Sequence, residues 1–351
     1  MKLHALLKNV LLSPVWVLQL ATSAKSFLDN PIIGSQRLNR LGLHLARVRL
    51  ATALCRFRRW RLARHVRPEW RAAFDRDGFV AIPDLLPAAE FGSLRQAILE
   101  YNGAAREMVQ GDAITRRLAI DPQMLATIPA LRTLLARADI RSLFHYVASF
   151  RTEPLHYIQT IVTHVPPEAA QPNGDPQEAL HADAFHSSLK AWFFLNDVEP
   201  DEAPFTYVPG SHRFTPLRLA WERRRSTIPA AQLDRLTARG SPRVRAADLE
   251  AMDLPAAKAL SVPANTLVVA DTVGFHARGG SVRSTERVEI WSYARRNPFL
   301  PFIGGDLLSL PGLAERRINW VWALRDRFAN VAGQPWRAVG LRTPAGDLAR
   351  P

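Results

Sequence analysis

Cysteine is almost absent: Cys55 stands alone among 351 residues, which excludes an intramolecular disulfide framework and points to a reducing compartment such as the cytoplasm. Long apolar runs are missing too. The best candidate, residues 9–24 between Lys8 and Lys25, is interrupted by Asn9, Ser13, Pro14 and Gln19, and a spanning helix needs about 20 predominantly apolar residues. With Lys2 and Lys8 ahead of it and "ATSA" at its end, the same stretch has the outline of a signal peptide, although the arginine-rich sequence behind it suits translocation poorly. There is no internal repeat and no low-complexity tract. A composition of 47% hydrophobic and 22% charged residues is that of a folded globular protein, of one large domain or two.

Acids are scarce at one end only. Residues 1–67 hold 13 Lys and Arg against the single acid Asp29, while the other 284 residues carry 33 bases and 31 acids. The overall charge of +14 is therefore a local feature. Within it, "LNRLGLHLARVRLATALCRFRRWRLARHV" (38–66) interleaves leucine and arginine at helical spacing. Two readings stand open: an interfacial helix holding the protein on the anionic inner face of the membrane, or a basic helix packed on its own domain. Nucleic acid is not expected as a partner, because no recognition motif accompanies the charge.

A composition change at Pro68 opens the main body, 68–298. A short strand (Phe79 to Ile82), a turn at Pro83-Asp84 and a helix come first, with helical sequence continuing to about Phe150. "EPLHYIQTIVTHV" then reads as a strand, and strand patterns dominate 181–209 and 261–297 on either side of a helical, arginine-rich insert at about 215–258. Helices first and strands later predict an α+β fold around a β-sandwich or barrel. Residues 299–351 form a C-terminal extension.

What the sequence does have is "HADAFH" (181–186) ahead of the apolar "LKAWFFLNDV". His181 and Asp183 are two residues apart, so an extended chain points both to one side. "NTLVVADTVGFHARGG" adds His276 before a glycine-rich turn. Two histidines and one carboxylate make the facial triad of non-haem Fe(II) oxygenases, with positions left for co-substrate and oxygen. On its own, H-x-D is a pattern that chance produces often. The features around it are more specific: "DEAPFTYVPGSHRF" follows, and Arg287 lies eleven residues past His276.

Together these segments resemble the phytanoyl-CoA dioxygenase family of Fe(II)- and 2-oxoglutarate-dependent oxygenases. The likeness runs from Asp77, Gly78, Phe79, Val80, Ile82, Pro83, Leu85 and Leu86 through His181, Asp183, the turn Pro209 to His212, His276 and Arg287, over roughly residues 72–297. It implies a double-stranded β-helix (jelly roll), Fe(II) on His181, Asp183 and His276, and 2-oxoglutarate with its far carboxylate on Arg287, whose planar fork suits a carboxylate. Halogenating relatives lack the metal-binding acid. Asp183 therefore implies hydroxylation, with O2 consumed and succinate and carbon dioxide as co-products.

There are departures from the family pattern. "HARGG" puts Arg278 where a serine often stands, so Arg278 and Arg283 compete with Arg287 for the carboxylate or face an anionic substrate. Ala203-Pro204 replaces a family glycine and is read as a loop variation without chemical consequence. His186 and His212 are expected off the metal. Gln159 and Tyr157, alternating on one strand, and Lys190 and Trp192 on another are candidates to line the pocket, Gln159 and Lys190 beside the co-substrate. "ERRRS" (Glu222 to Ser226) is read either as a substrate lid or as a solvated helix. The expected activity is hydroxylation of a lipid-like or lipid-linked substrate, such as a lipopolysaccharide precursor or its acidic sugar, at the membrane surface. A soluble acyl-CoA or small-metabolite hydroxylase and a non-enzymatic jelly-roll binder are the alternatives.

Overall fold

A computed structural model of the chain describes residues 13–164 and 174–345. Eleven strands form among them: β1 Phe79–Ile82, β2 Gly103–Gln110, β3 Ala113–Ala119, β4 Leu155–Val162, β5 Leu189–Phe194, β6 Phe205–Tyr207, β7 Lys258–Leu260, β8 Leu267–Asp271, β9 His276–Arg278, β10 Glu286–Ala294 and β11 Arg337–Arg342. Eight make an antiparallel sheet in the order β1-β8-β5-β10-β4-β3-β2-β11, and β7-β6-β9 make a second, smaller sheet. This is the expected α+β jelly roll with flanking helices.

Strand alternation places the core and the site on opposite faces of the large sheet. On β10, Val288 and Ile290 point to an outer core shared with helices, whereas Trp291 packs with Tyr157, Trp192, Phe205 and Tyr207 between the two sheets. The outer core is built largely by Ala88–Glu100 (α2) and Ala138–Ala148 (α3), which contribute Leu94, Ile98, Leu143 and Val147.

The region expected to be helical up to Phe150 instead contains the β2–β3 hairpin. Gln110 pairs with Ala113 across Gly111-Asp112, and Gly111 takes φ +61°. A glycine followed by an aspartate in a two-residue loop is a hairpin signal. Its flanks, "GAAREMVQ" and "AITRRLA", lack the clean apolar alternation that marks a half-buried strand. The C-terminal extension adds β11 to the sheet edge beside β2.

The basic N-terminal segment is folded onto the body. Its long helix, Leu43–Leu62 (α1), buries Leu45, Val48, Ala51, Cys55 and Leu62. Three of its arginines turn inward as well. Arg47 donates to the carbonyls of Leu20, Thr22 and Ala24. Arg58 reaches those of Ser149, Pro298 and Leu300, and Arg59 pairs with Asp271 at 2.7 Å. The packed-helix reading thus holds for the inner face, while Arg49, Leu50, Arg56, Phe57, Trp60 and Arg61 remain exposed on the outer one.

The insert opens with Pro216–Ser226 (α4). Its Glu222 is buried against His44 of α1 (2.9 Å), Arg225 (2.7 Å) and Arg218 (3.2 Å). Neither sequence reading of "ERRRS" survives intact: Arg223 and Arg224 face solvent, and Glu222 and Arg225 clamp the insert to α1. No described helix is long and apolar enough to cross a membrane; part of the stretch at 9–24 lies outside the described residues.

Candidate active site

His181 precedes β5 in an extended loop and forms antiparallel bridges to both His276 and Arg243. Its backbone exchanges hydrogen bonds with that of His276 at 2.9 Å in each direction, which locks the two rings together with centroids 4.4 Å apart. Each Nδ1 lies against a carbonyl, His181 on Ala179 (2.8 Å) and His276 on Gly274 (3.0 Å). That contact sets the tautomer and leaves each Nε2 lone pair facing inward, as a metal-ligating histidine requires. Asp183 Oδ1 lies 3.8 Å from Nε2 of His181 and 3.7 Å from Nε2 of His276. All three donor atoms fall within 4.8 Å of one another, the one such cluster among the described residues.

The electrostatics suit a cation. Burial alone would push the Asp183 carboxyl up, but the Lys190 ammonium and the two imidazoles hold it well below the usual carboxylate range. Burial pushes His276 down to about 4 and His181 well below its ordinary value. The cluster therefore presents one carboxylate and two neutral imidazoles at neutral pH, a donor set that fits Fe(II). Lys190 Nζ is 2.7 Å from Asp183 Oδ2 and 3.5 Å from His276 Nε2, placing positive charge where an ion would lie.

The turn that carries His276 is held from below. Asp271, at the end of β8, accepts from Arg59 and Ser187 (2.7 Å each) and from the backbone N–H groups of Ser188 and Val273. Tyr207 Oη donates to the Asp271 carbonyl at 2.8 Å. At Gly274 a Cβ would lie 1.9 Å from that hydroxyl, so no other residue fits without displacing it.

The triad opens into a cavity of about 350 Å³ whose lining includes Gln159, Lys190, Trp192, Arg278 and Arg287. Odd positions of β10 feed it: Arg287, Trp291, Tyr293 and then Arg295. At the Arg287 end, Arg287 Nε lies 3.0 Å from Glu289 Oε2, with both residues buried. Arg278 pairs with Asp175 at 3.0 Å. Gln159 bridges this end, donating to Glu289 (2.6 Å) and accepting from Arg117 (2.7 Å). Arg117 itself stacks over Trp291 at 4.0 Å and Trp336 at 4.5 Å, and burial pushes its guanidinium down to about 10. Three guanidiniums face two carboxylates here, which leaves charge for one more carboxylate.

Other expectations sort themselves by place. Arg283 pairs with Asp201 and Glu202 on the surface and does not line the cavity. Tyr157 packs into the inter-sheet core. His186 and His212 line a separate cavity of about 320 Å³ under α1, away from the metal cluster. Ala203 is more than a loop variation: it takes φ +51°, a left-handed conformation natural to the glycine that relatives carry, and its carbonyl accepts from Arg287.

Sequence reasoning missed Arg117, Lys25, Arg295 and Trp336. Arg295 was within reach, since it continues the odd-numbered face of Arg287. Arg117 was hidden by the unread hairpin. Lys25 donates through Nζ to the Asp183 carbonyl across 158 residues of chain, and no sequence pattern signals that.

A sequence model described as phytanoyl-CoA dioxygenase matches residues 74–264. No curated protein matches the chain. Among solved structures, the epimerase SnoN with Fe3+, alpha ketoglutarate and nogalamycin RO is similar at 20% identity, over 70% of this chain and 90% of that one, with a TM-score of 0.40. HygX from Streptomyces hygroscopicus with nickel, 2-oxoglutarate and hygromycin B matches at 17% identity, over 65% and 87%, with a TM-score of 0.40. AviO1 from Streptomyces viridochromogenes Tue57 matches at 17%, over 70% and 97%, with 0.38. At such scores none of these likenesses bears on the chemistry. The family match spans more than half of the sequence and both of the first two triad residues, and the chain belongs to the phytanoyl-CoA dioxygenase family as an iron- and 2-oxoglutarate-dependent dioxygenase.

Proposed function

We propose that this dioxygenase is a hydroxylase whose residues 68–298 form the catalytic unit, with 1–67 and 299–351 as extensions that complete its walls. One observation carries the reading: a His-Asp-His cluster, with both histidines buried and Asp183 partly so, shares a single cavity with Arg287. His181, Asp183 and His276 would hold Fe(II). Arg287, with Arg278 and Gln159 beside it, would take the far carboxylate of 2-oxoglutarate, while Lys190 flanks the chelating end. When bound, the iron supplies the oxidising power to insert one atom of O2 into a substrate C–H bond, the other entering succinate as 2-oxoglutarate loses carbon dioxide. The chain's own part is positioning. Gly274 and Ala179 carbonyls fix the imidazoles, Ala203 aims Arg287, and Trp192 and Trp291 exclude water from the space between.

For the substrate, we favour a lipid-linked molecule with an acidic group, such as a lipopolysaccharide precursor or its acidic sugar, met at an anionic membrane surface. The outer face of α1 supports this. Trp60 is 75% exposed and Phe57 46%, and both sit among Arg49, Arg56 and Arg61, the pattern of an interfacial helix.

Anaerobic titration of the protein with Fe(II) and 2-oxoglutarate tests the cofactor chemistry through the weak visible charge-transfer band of the chelate. The band is expected in the wild type, absent in Asp183→Ala, and shifted to at least tenfold higher 2-oxoglutarate in Arg287→Ala. A folded, metal-loaded wild type without a band would leave the non-enzymatic binder. Flotation with anionic liposomes, comparing wild type with Phe57→Ser/Trp60→Ser, tests the membrane reading; equal flotation, or none, would favour a soluble acyl-CoA or small-metabolite substrate. Because α1 packs on the body, these surface changes test it better than removal of residues 1–67.

A further inference from the structure

The cavity has a cationic end that 2-oxoglutarate leaves unused. Arg287 and Arg295 lie eight residues apart on one face of β10 and its continuation, a span of roughly 27 Å at about 3.4 Å per residue. A five-carbon diacid anchored at the triad and at Arg287 cannot reach Arg295 as well. Arg295 and Lys25 line both the triad cavity and an adjoining outer cavity of about 740 Å³, formed by residues 19–30 and 236–241. They therefore stand at the neck between the iron site and solvent, on the side away from Arg287.

Their charge is unspent. The Arg295 guanidinium has no hydrogen-bond or ion-pair partner among the described residues, whereas Arg278 and Arg287 each have an acid. The one bond of Lys25 Nζ is to the Asp183 carbonyl, although an ammonium offers three donors. Of the carboxylates nearby, Asp183 is already contacted by Lys190, and Asp29, on the wall of the outer cavity, is engaged by Arg239 and Ser26. With a divalent ion on the triad and the chelating carboxylate of 2-oxoglutarate on the ion, Asp183 is neutralised, and the ammonium and guanidinium at the neck have no counter-charge. Lys25 is partly buried, and a partly buried cation without a counter-charge is costly, while the exposed Arg295 beside it offers a second free donor group.

We propose that Lys25 and Arg295 form a binding site for an oxyanion, a carboxylate or phosphate, carried by the primary substrate, so that the N-terminal segment supplies part of the active site. The proposal rests on the reading of the triad cavity as the iron and 2-oxoglutarate site. Arg295 supplies a planar two-pronged donor and Lys25 a mobile point charge. Their place at the neck would hold the rest of the substrate either inward over the triad or outward along residues 22–30, and the C–H bond attacked would lie within a few bonds of the anionic group.

The test is an anaerobic titration of the full-length protein, saturated with Fe(II) and 2-oxoglutarate, with inorganic phosphate and separately with acetate. It is read by tryptophan fluorescence, since Trp192 and Trp291 line the same cavity, and by perturbation of the chelate band. A saturable response is expected to one or both anions, and the stronger one identifies the substrate's group. Its midpoint should rise at least tenfold in Arg295→Ala and in Lys25→Met and recover in Lys25→Arg, with the 2-oxoglutarate midpoint within twofold of wild type throughout. Arg295 is exposed and Met keeps the lysine stem, so both variants should fold. Equal anion midpoints in wild type and both variants, or no saturable response, would overturn the proposal. Absence of the chelate band in the wild type would instead sink the cofactor reading, and the fluorescence midpoints would still decide the oxyanion site.

Discussion

Gly274 shows how narrowly the metal cluster is specified. Its carbonyl orients His276, and its missing side chain leaves room for the Tyr207 hydroxyl. Gly274→Ala should therefore push Tyr207 off the Asp271 carbonyl or tilt His276, weakening metal affinity about 10- to 100-fold, the range for loss of a ligand's orienting partner. Competition with a chromogenic chelator would measure it, and unchanged affinity in a folded variant would show that the turn is not what aims the ring. The members of the candidate metal cluster were legible in the sequence because H-x-D and the distal histidine are linear signals beside strands of evident pattern. The residues around them were not. In the sequence Glu289 is one more acid two residues past Arg287, and only the fold, whose sheet register sets it opposite Gln159, shows that the pair is buried.

Among the elements, α1 depends on a buried charge cluster. Glu222 of α4 meets His44, Arg218 and Arg225, with both carboxylate oxygens engaged. Removing one partner of such a cluster leaves uncompensated charge and typically costs about 3–5 kcal/mol. Glu222→Ala should lower stability by that order and release α1. Limited trypsin digestion would then cut at Arg56 or Arg61 well before the body is cleaved, whereas an unchanged digestion pattern would argue that apolar packing alone holds the helix. The helical character of α1 was plain from its leucine and arginine spacing. Its docking was not, because inward arginines that bond to carbonyls look in sequence like any solvated charge. The β2–β3 hairpin was missed for a related reason: Arg116 and Arg117, paired with Glu107 and stacked on tryptophan, occupy positions where a strand pattern calls for apolar residues.

For the molecule as a whole, buried histidines set the response to acid. Burial pushes His186 down to about 3 and His145, His212 and His276 to about 4, while unfolded histidine titrates near 6.5. Below pH 6.5 the unfolded chain takes up protons that the folded one refuses, so stability is full above that value and falls as pH drops toward 4. Each such group contributes a slope of about 1 kcal/mol per pH unit or slightly more. Glu289 and Asp175, whose carboxyls burial pushes up, act in the opposite direction at lower pH. The urea midpoint of the metal-free protein should therefore decline between pH 6.5 and 5. A midpoint flat to pH 4.5 would mean that these imidazoles are hydrated in the folded state.

The reach of Arg58 has a consequence for how the protein comes into being. Its carbonyl acceptor on Leu300 lies 242 residues downstream. At about 5–20 residues per second of synthesis, roughly 12–50 s separate the appearance of the two. Leu62 finds its cover among residues up to about 148, and Val48 and Ala51 theirs once Phe185 is made, but the Arg58 guanidinium waits for the carbonyls of Pro298 and Leu300. A segment made early and satisfied late is a demand on chaperones, and slower translation in a heterologous host should lower the soluble yield of the full-length chain by lengthening the wait.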